Sequence, residues 1–261
     1  MSYTIEVVRD TCCVLDTFLE KDHPLTLAEI TQQTELNKNK VFRILATLQE
    51  CRLVKRTTSG AYCLHVHFLD FVQSINKQLN VVEVSSPVLE GLVNDTGESA
   101  FISIIDGIEA LCVAARESPQ KIRLSAQIGR RLPLYAGASP VVLLAFLHPK
   151  DRNELLDKIQ LRPYTSQTIT DRQNLEKYLA HVREKGYVVT PEDLDEGARG
   201  VGAPIRDMTG HVIASVSVAG VANRFTEERI QNYVELVLNG ASQISQALGY
   251  KDDQSKKVSI S

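Results

Sequence analysis

Val8, Cys12, Leu15 and Leu19 recur at steps of four, three and four, which predicts one apolar stripe of a helix over Ile5 to Leu19. Asp22-His23-Pro24 breaks that pattern. A second, short helix is predicted over Leu25 to Thr34, with Thr26 as its cap and Leu27 and Ile30 turned inward. Glu35-Leu36-Asn37 reads as a turn, and a third helix follows from Lys38 to Cys51. Its stripe is Val41, Ile44, Leu45 and Leu48, the i, i+3, i+4, i+7 spacing of an amphipathic helix. The period then shortens. Leu53 to Arg56 and Ala61 to Leu64 read as strands around the turn Thr57-Thr58-Ser59-Gly60. Three helices followed by a hairpin is the order of a winged helix-turn-helix.

Phe68, Val72, Ile75 and Leu79 define a further helix, read as a linker whose stripe suits pairing with a second copy of the chain. Beyond it, hairpins alternate with helices. Phe101 to Ile105 and Ile108 to Ala114 flank the turn Asp106-Gly107, and Lys121 to Ile128 is expected as a third strand. Pro140 to Leu147 reads as a short apolar helix, and Thr170-Asp171-Arg172-Gln173 as a capping box opening a helix that ends near Lys185-Gly186. Val201 to Ile205 and Val212 to Ala219 are strands, and Thr226 to Leu248 is a final helix. Hairpins without βαβ repeats imply an α+β domain on an antiparallel sheet. The expected organisation is residues 1–66 winged helix-turn-helix, 67–82 linker helix, 83–250 second domain and 251–261 a loose polar tail.

Composition changes this picture in two places. With 43% apolar residues among 261, a packed core is accessible, but a net charge of only −3 gives no global reason to expect nucleic acid. The charge is instead local: between residues 38 and 56, Lys38, Lys40, Arg43, Arg52, Lys55 and Arg56 stand against Glu50 alone, while residues 1–37 are acidic overall. The second change concerns surroundings. Met1 to Arg9 has no apolar signal core, no stretch nears the ~20 apolar residues that cross a bilayer, and the five cysteines form no CxxC. A cytoplasmic chain with reduced thiols and no membrane partner is expected, with Cys12 and Cys13 as small apolar fillers on the first helix.

The focused basic charge falls on the helix that a helix-turn-helix places in the major groove. Opposite its apolar stripe lie Asn39, Lys40, Arg43, Ala46 and Thr47, types that hydrogen-bond base edges or touch a thymine methyl. The helix start, Asn37-Lys38-Asn39-Lys40, has free N–H groups suited to a phosphate. The expected contacts to double-stranded operator DNA are Asn37, Lys38, Asn39, Lys40, Phe42, Arg43 and Thr47, with Lys55, Arg56 and Ser59 on the wing. Phosphate contacts would set affinity and the helix would set sequence.

The runs Leu25-Thr26-Leu27-Ala28-Glu29-Ile30, Val41 to Leu48 and Tyr62-Cys63-Leu64 resemble the N-terminal part of IclR-type transcription regulators. The second half resembles them more specifically, in Gly129 to Leu134, Thr165 to Asp171, Gly186-Tyr187, Gly197 to Ile205 and Ser217-Val218-Ala219-Gly220. The likeness spans residues 5–249. It implies a GAF-like C-terminal domain that binds a small effector, often an organic or aromatic acid, and a regulator of a catabolic or metabolic operon. It also implies pocket residues Thr190, Glu192, Gly200, Ser217 and Ala219. The residues themselves add Gly137, Ala138 and Ser139: a run of small side chains lets a ligand approach the backbone, and Ser139 is expected to cap the helix opened by Pro140. The chain departs from the family where Pro140-Val141-Val142 replaces Gly-Lys-Ala, with Val141 in place of the lysine, and where Ala219 lacks a hydroxyl. Either the ligand is less charged than a small keto acid, or the pocket is vestigial and the regulator answers to a protein partner.

A small-molecule enzyme is the remaining alternative. No GxSxG, Walker loop or HExxH occurs, so no catalytic residue and no cofactor is expected. Cys63, His65 and His67 would share one face of a strand and bind zinc, but a helix beginning near His65 would scatter them, and no metal is expected. Glu192, Asp193, Asp195 and Glu196 would form a cation-holding loop or, more simply, a solvated one. The mechanism expected is two-state: a homodimer or homotetramer spaces two recognition helices, and the effector favours one spacing.

Overall fold

The computed structural model describes residues 4–19, 21–72 and 80–251. The chain forms two compact units, Met1–Gln78 and Leu79–Ser261. In the first, α1 (Glu6–Asp16) runs into a 3-10 turn, Thr17–Leu19, and is followed by α2 (Leu27–Thr34) and α3 (Lys38–Glu50). Strands β1 (Val54–Arg56) and β2 (Tyr62–Leu64) pair antiparallel as the wing. Thr26 starts α2 with a full capping box: its Oγ1 accepts the Glu29 N–H at 3.3 Å, and Glu29 Oε2 accepts the Thr26 N–H at 2.7 Å. The left-handed Glu35, φ 56°, turns the chain from α2 into α3. Val41, Ile44, Leu45 and Leu48 of α3 pack on Val14, Phe18, Ile30, Val54 and Tyr62.

The stripe expected on α1 is the wrong one. Val8 is 55% and Leu19 76% exposed, and Cys12 and Cys13 are exposed, so the cysteines are not core fillers. The buried positions are Asp10, Val14, Thr17 and Phe18. The helix carries apolar residues on two faces; the one turned inward packs Val14 into the core and pairs Asp10 with Lys40 of α3. After the wing, residues 68–72 are helical; the rest of the expected linker helix to Leu79, residues 73–79, lies outside the described residues, as does the tail from 252 to 261.

The second unit is built on a six-stranded antiparallel sheet in the order β5-β4-β3-β8-β7-β6. The strands are β3 (Ser99–Asp106), β4 (Glu109–Arg116), β5 (Arg131–Pro133), β6 (Val188–Val189), β7 (Ala198–Arg206) and β8 (Val212–Val221). Helices α4 (Asn80–Thr96) and α8 (Glu227–Ala247) cover one face; α5 (Ala138–Phe146) and α7 (Arg172–Lys185) pack in the core of the other, and α6 (Pro149–Lys158) adds Leu156 to it. Side chains alternate between faces along each strand. Ala100, Ile102, Val201, Ala203, Ile205, Ala214, Val216 and Val218 face α4 and α8. The residues that alternate with them are left for the opposite face, and several of these build the site.

Several sequence expectations change here. Lys121 to Ile128 is a surface loop, with Ile122 74% and Ile128 67% exposed, and the edge strand is Arg131–Pro133 instead. Polar ties hold that loop: Arg123 pairs with Glu117, and the Ser99 hydroxyl donates to the Leu124 carbonyl at 2.8 Å. Helices α4 and α6 and the short β6 were not anticipated; α4 contains Pro87, and His148-Pro149 is an N-cap and first turn rather than a loop. The cap of α7 is Asp171, which accepts the Asn174 N–H at 2.8 Å, and not Thr170. Helix α5 starts at Ala138 with Gly137 before it, so Ser139 is no cap. Gly137 has φ +84°, a conformation that L side chains rarely adopt, and this lets the helix begin earlier than Pro140 implied.

Candidate functional site

The DNA-facing candidates sit on the solvent side of α3 and on the wing. Asn37 spends its side-chain oxygen on the Asn39 N–H at 2.9 Å, which caps α3 and leaves its NH2 free for a contact. Lys38, Asn39, Arg43 and Thr47 are exposed, and Phe42 is 51% exposed. Arg43 forms no ion pair among the described residues, and Thr47 donates its hydroxyl to the Arg43 carbonyl at 3.0 Å. On the wing, Lys55 and Ser59 are exposed, Ser59 sharing a hydrogen bond with Thr57 at 2.8 Å. Arg56 donates to the Gly60 carbonyl at 3.2 Å and lies 5.7 Å over the Tyr62 ring.

Lys40 stands apart. Its ammonium pairs with the buried Asp10 and with Glu6 at 3.1 Å, and these carboxylates hold its pKa above the ordinary lysine value. The charge placed on the recognition face by the sequence reading is thus neutralised within the unit. Lys40→Ala is expected to lower the thermal midpoint, because it strands the buried Asp10, while leaving the salt dependence of DNA binding nearly unchanged. Lys38→Ala is expected to do the reverse. Parallel melting curves and salt titrations of the two variants check this.

The second unit holds a cavity between the start of α5 and the sheet, with an empty volume of about 680 Å³, its open mouth included. The period of the strands explains its wall. Phe101 and Ser103 of β3, Ser217 and Ala219 of β8 and Gly200 of β7 all point to the face opposite α4 and α8. Gly202 has no room for a side chain: a Cβ there would meet the Ala138 carbonyl at 2.9 Å, so α5 is seated directly on β7. Of the residues expected in a pocket, Gly137, Ala138, Ser139, Thr190, Gly200, Ser217 and Ala219 line this cavity together. Glu192 does not. It is left-handed, φ 63°, and its carboxylate turns away to accept the Gly197 N–H at 2.8 Å. Val141 is fully buried in the core behind α5 and takes no part in the cavity wall.

Most polar groups on the wall are already satisfied. Ser139 and Ser217 share a hydrogen bond at 2.8 Å, and Ser215 donates to the Ser139 carbonyl at 3.1 Å. The Thr190 hydroxyl accepts the Gly200 N–H at 3.1 Å. Burial pushes the Cys112 thiol up to about 11, so it stays protonated and unreactive at neutral pH. Sequence reasoning missed Phe101, Ser103, Cys112, Leu124, Leu132, Asp193 and Leu194 on the wall. For the strand residues the signal was available, since Phe101 and Ser103 alternate with the buried Ala100 and Ile102.

Asp193 is the exception among the polar groups. It is 5% exposed, and burial pushes its carboxyl up to about 6 although the Gly137 N–H at 3.2 Å opposes the shift. A carboxyl with a raised folded pKa costs nothing below its unfolded value. The cost grows as pH rises toward the folded value and is fully present above it. Asp193→Asn keeps the acceptor for Gly137 and removes the charge. The variant is expected to melt higher near neutral pH, by up to about 3 kcal/mol, the gain vanishing below about pH 4. Urea unfolding of both proteins across that range reads the difference; a gain that does not depend on pH would contradict a charge origin. No group of three or more His, Cys, Asp or Glu side chains that would hold a metal occurs among the described residues, Cys63, His65 and His67 included.

Comparison with known proteins places this geometry. Residues 73–246 match the family profile described as bacterial transcriptional regulator IclR C-terminal, and residues 13–58 match the IclR helix-turn-helix domain. The chain is 35% identical over 245 residues to the HTH-type transcriptional regulator KipR of Bacillus subtilis, covering 94% of this chain and 98% of that protein. It is 28% identical over 235 residues to the HTH-type transcriptional regulator KdgR of Escherichia coli, covering 90% and 89%. Among solved structures, IclR of Thermotoga maritima superposes with TM-score 0.80 at 28% identity, covering 95% of this chain and 100% of that one. An IclR homolog of Microbacterium hydrocarbonoxydans, complexed with 4-hydroxybenzoate, shares the fold with TM-score 0.84 at 24% identity over 93% and 99% of the two chains.

Proposed function

Because the chain belongs to the IclR family of bacterial transcriptional regulators, we propose that it reads operator DNA with the exposed face of α3 and takes its signal from a small organic or aromatic acid in the cavity at the start of α5. The protein is a DNA-binding transcription regulator controlled by a small molecule, and not an enzyme. The observation that carries the effector half is the cavity itself: a largely apolar hollow of about 90 Å³ behind its open mouth, in which seven of the residues expected from sequence meet.

On the DNA side, Lys38, Asn39, Arg43 and Thr47 supply the donors that reach base edges and phosphates, and Lys55 and Arg56 reach the backbone from the wing. Two such helices, presented by a homodimer or homotetramer, read the halves of a near-palindromic operator. The exposed Leu69, Phe71 and Val72 are apolar side chains that such an assembly would cover. The effector acts by binding one arrangement of those helices better than the other, and its influence is bounded by that difference.

The test is binding of the purified protein to the DNA upstream of its own gene at two salt concentrations. Sequence-preferring, salt-sensitive binding supports the DNA half, and release or tightening by an added acid supports the effector half. Absence of binding at low salt, even to nonspecific DNA, overturns the role given to α3.

A further inference from the structure

The cavity wall holds a buried carboxylate, Asp193, that no side chain among the described residues pairs with or donates to. We propose that Asp193 determines the specificity of the effector site, and that the effector is a small, largely apolar molecule presenting a hydroxyl or amino hydrogen-bond donor to the Asp193 carboxylate. The inference rests on the reading of the cavity as the effector site.

Asp193 lines the cavity and is 5% exposed. Apart from its own backbone N–H, its carboxylate receives one protein hydrogen bond, from Gly137 N at 3.2 Å. An ionised carboxylate has about four acceptor sites, so about half of its capacity is open. No cation among the described residues pairs with it. The two arginines on the wall are committed elsewhere: Arg130 faces Asp195 at 3.5 Å, and Arg199 donates to the carbonyls of Thr190 and Phe225, both at 3.3 Å. Behind it on α7, the Tyr178 hydroxyl is buried without a hydrogen-bond partner, so it does not serve Asp193 either. The hydroxyls of Ser139, Ser217 and Thr190 are engaged as described. The rest of the cavity wall is mixed: Phe101, Leu132, Leu194 and Ala219 are apolar, and Ser103 and Gln127 are polar, with no bond from either to Asp193.

A ligand that fills this space displaces water from Asp193. If it brings a donor, the carboxylate gains a charge-assisted bond; if it brings only carbon, a buried anion is left unsatisfied. Leaving such a group unpaired is penalised more than an ordinary hydrogen bond gains, so discrimination falls on analogues that lack the donor.

Calorimetric titration of the full chain near neutral pH tests this with two matched pairs, 4-hydroxybenzoate against benzoate and 2-hydroxypropanoate against propanoate, each up to millimolar concentration. The hydroxylated member of at least one pair is expected to bind about ten-fold tighter or more. In Asp193→Asn, whose oxygen keeps the Gly137 bond and whose NH2 cannot accept, that preference is expected to disappear. Equal binding within both pairs leaves the effector site standing and overturns the inference. A preference that survives in Asp193→Asn assigns it to another group and overturns it as well. If none of the four acids binds, the small-acid reading of the cavity fails and takes this inference with it.

Discussion

Arg43→Ala is expected to weaken binding to the specific operator by about 10- to 100-fold, the 1–3 kcal/mol that a base-directed arginine contributes, while leaving stability unchanged. The two halves of this expectation have separate causes. The guanidinium is exposed on α3, forms no ion pair among the described residues and packs on nothing in the core, so its loss costs the fold little. In the groove it is the strongest donor on the helix, and its truncation removes contacts that the neighbouring Asn39 and Thr47 cannot replace. Binding to nonspecific DNA should fall only modestly, since one phosphate-range charge is lost among several. Fluorescence anisotropy with operator and scrambled duplexes, alongside a melting curve, separates these effects. Unchanged operator affinity in a fully folded variant would remove α3 from its proposed role.

Arg224→Ala should produce the largest loss of stability of any single charge removal in the second unit, roughly 3–5 kcal/mol. Glu98 is 1% exposed, and its carboxylate meets the Arg224 guanidinium twice, Nε to Oε1 at 2.5 Å and the terminal nitrogen to Oε2 at 2.6 Å. Glu98 holds the Arg224 pKa above its ordinary value, which fits an ion pair screened from water. A Cβ on Gly220 would fall 2.0 Å from Glu98 Oε2, so the carboxylate lies against backbone with no space to move. Removing the arginine leaves an uncompensated buried anion. For a unit of this size the midpoint should drop by several degrees per two kcal/mol lost. There is also a functional consequence. Arg224 donates to the Ile122 carbonyl at 3.1 Å, and so pins the loop that brings Leu124, Gln127 and Arg130 to the cavity. Effector affinity should therefore fall even below the melting range. Replacing both partners, as in Glu98→Leu with Arg224→Leu, should recover much of the stability but not the loop anchor. A single variant that melts with the wild type would mean that water already reaches the pair.

Against these expectations, the sequence was most informative where one element's pattern suffices. The stripe of α3, the cap at Thr26, the hairpin turn at Asp106-Gly107 and the Gly186 stop of α7 are local signals, and each is where the spacing put it. Helix α4 escaped because Pro87 interrupts its pattern, and α6 because it buries only Leu156 and so shows little apolar stripe. Lys121 to Ile128 was misread because apolar residues at Ile122 and Ile128 do not bury themselves without a neighbouring strand, and β4 already pairs with β5 on that side.

By itself, then, the sequence determined the helix-helix-helix-hairpin order of the first unit, the basic face of α3, the small residues at Gly137 to Ser139 and the family resemblance that joined them to Gly200, Ser217 and Ala219. These follow from periodicity, charge and side-chain size, which are properties of segments. Only the tertiary structure decided which helix face is buried, that Lys40 pairs with Asp10, that Glu192 turns outward while Asp193 turns in, and that Asp193 stays without a cation among the described residues. The reason is common to all four: each depends on what another element places within a few ångströms, and neither the desolvation of a carboxylate nor the choice of its partner is encoded in the residues beside it in the chain.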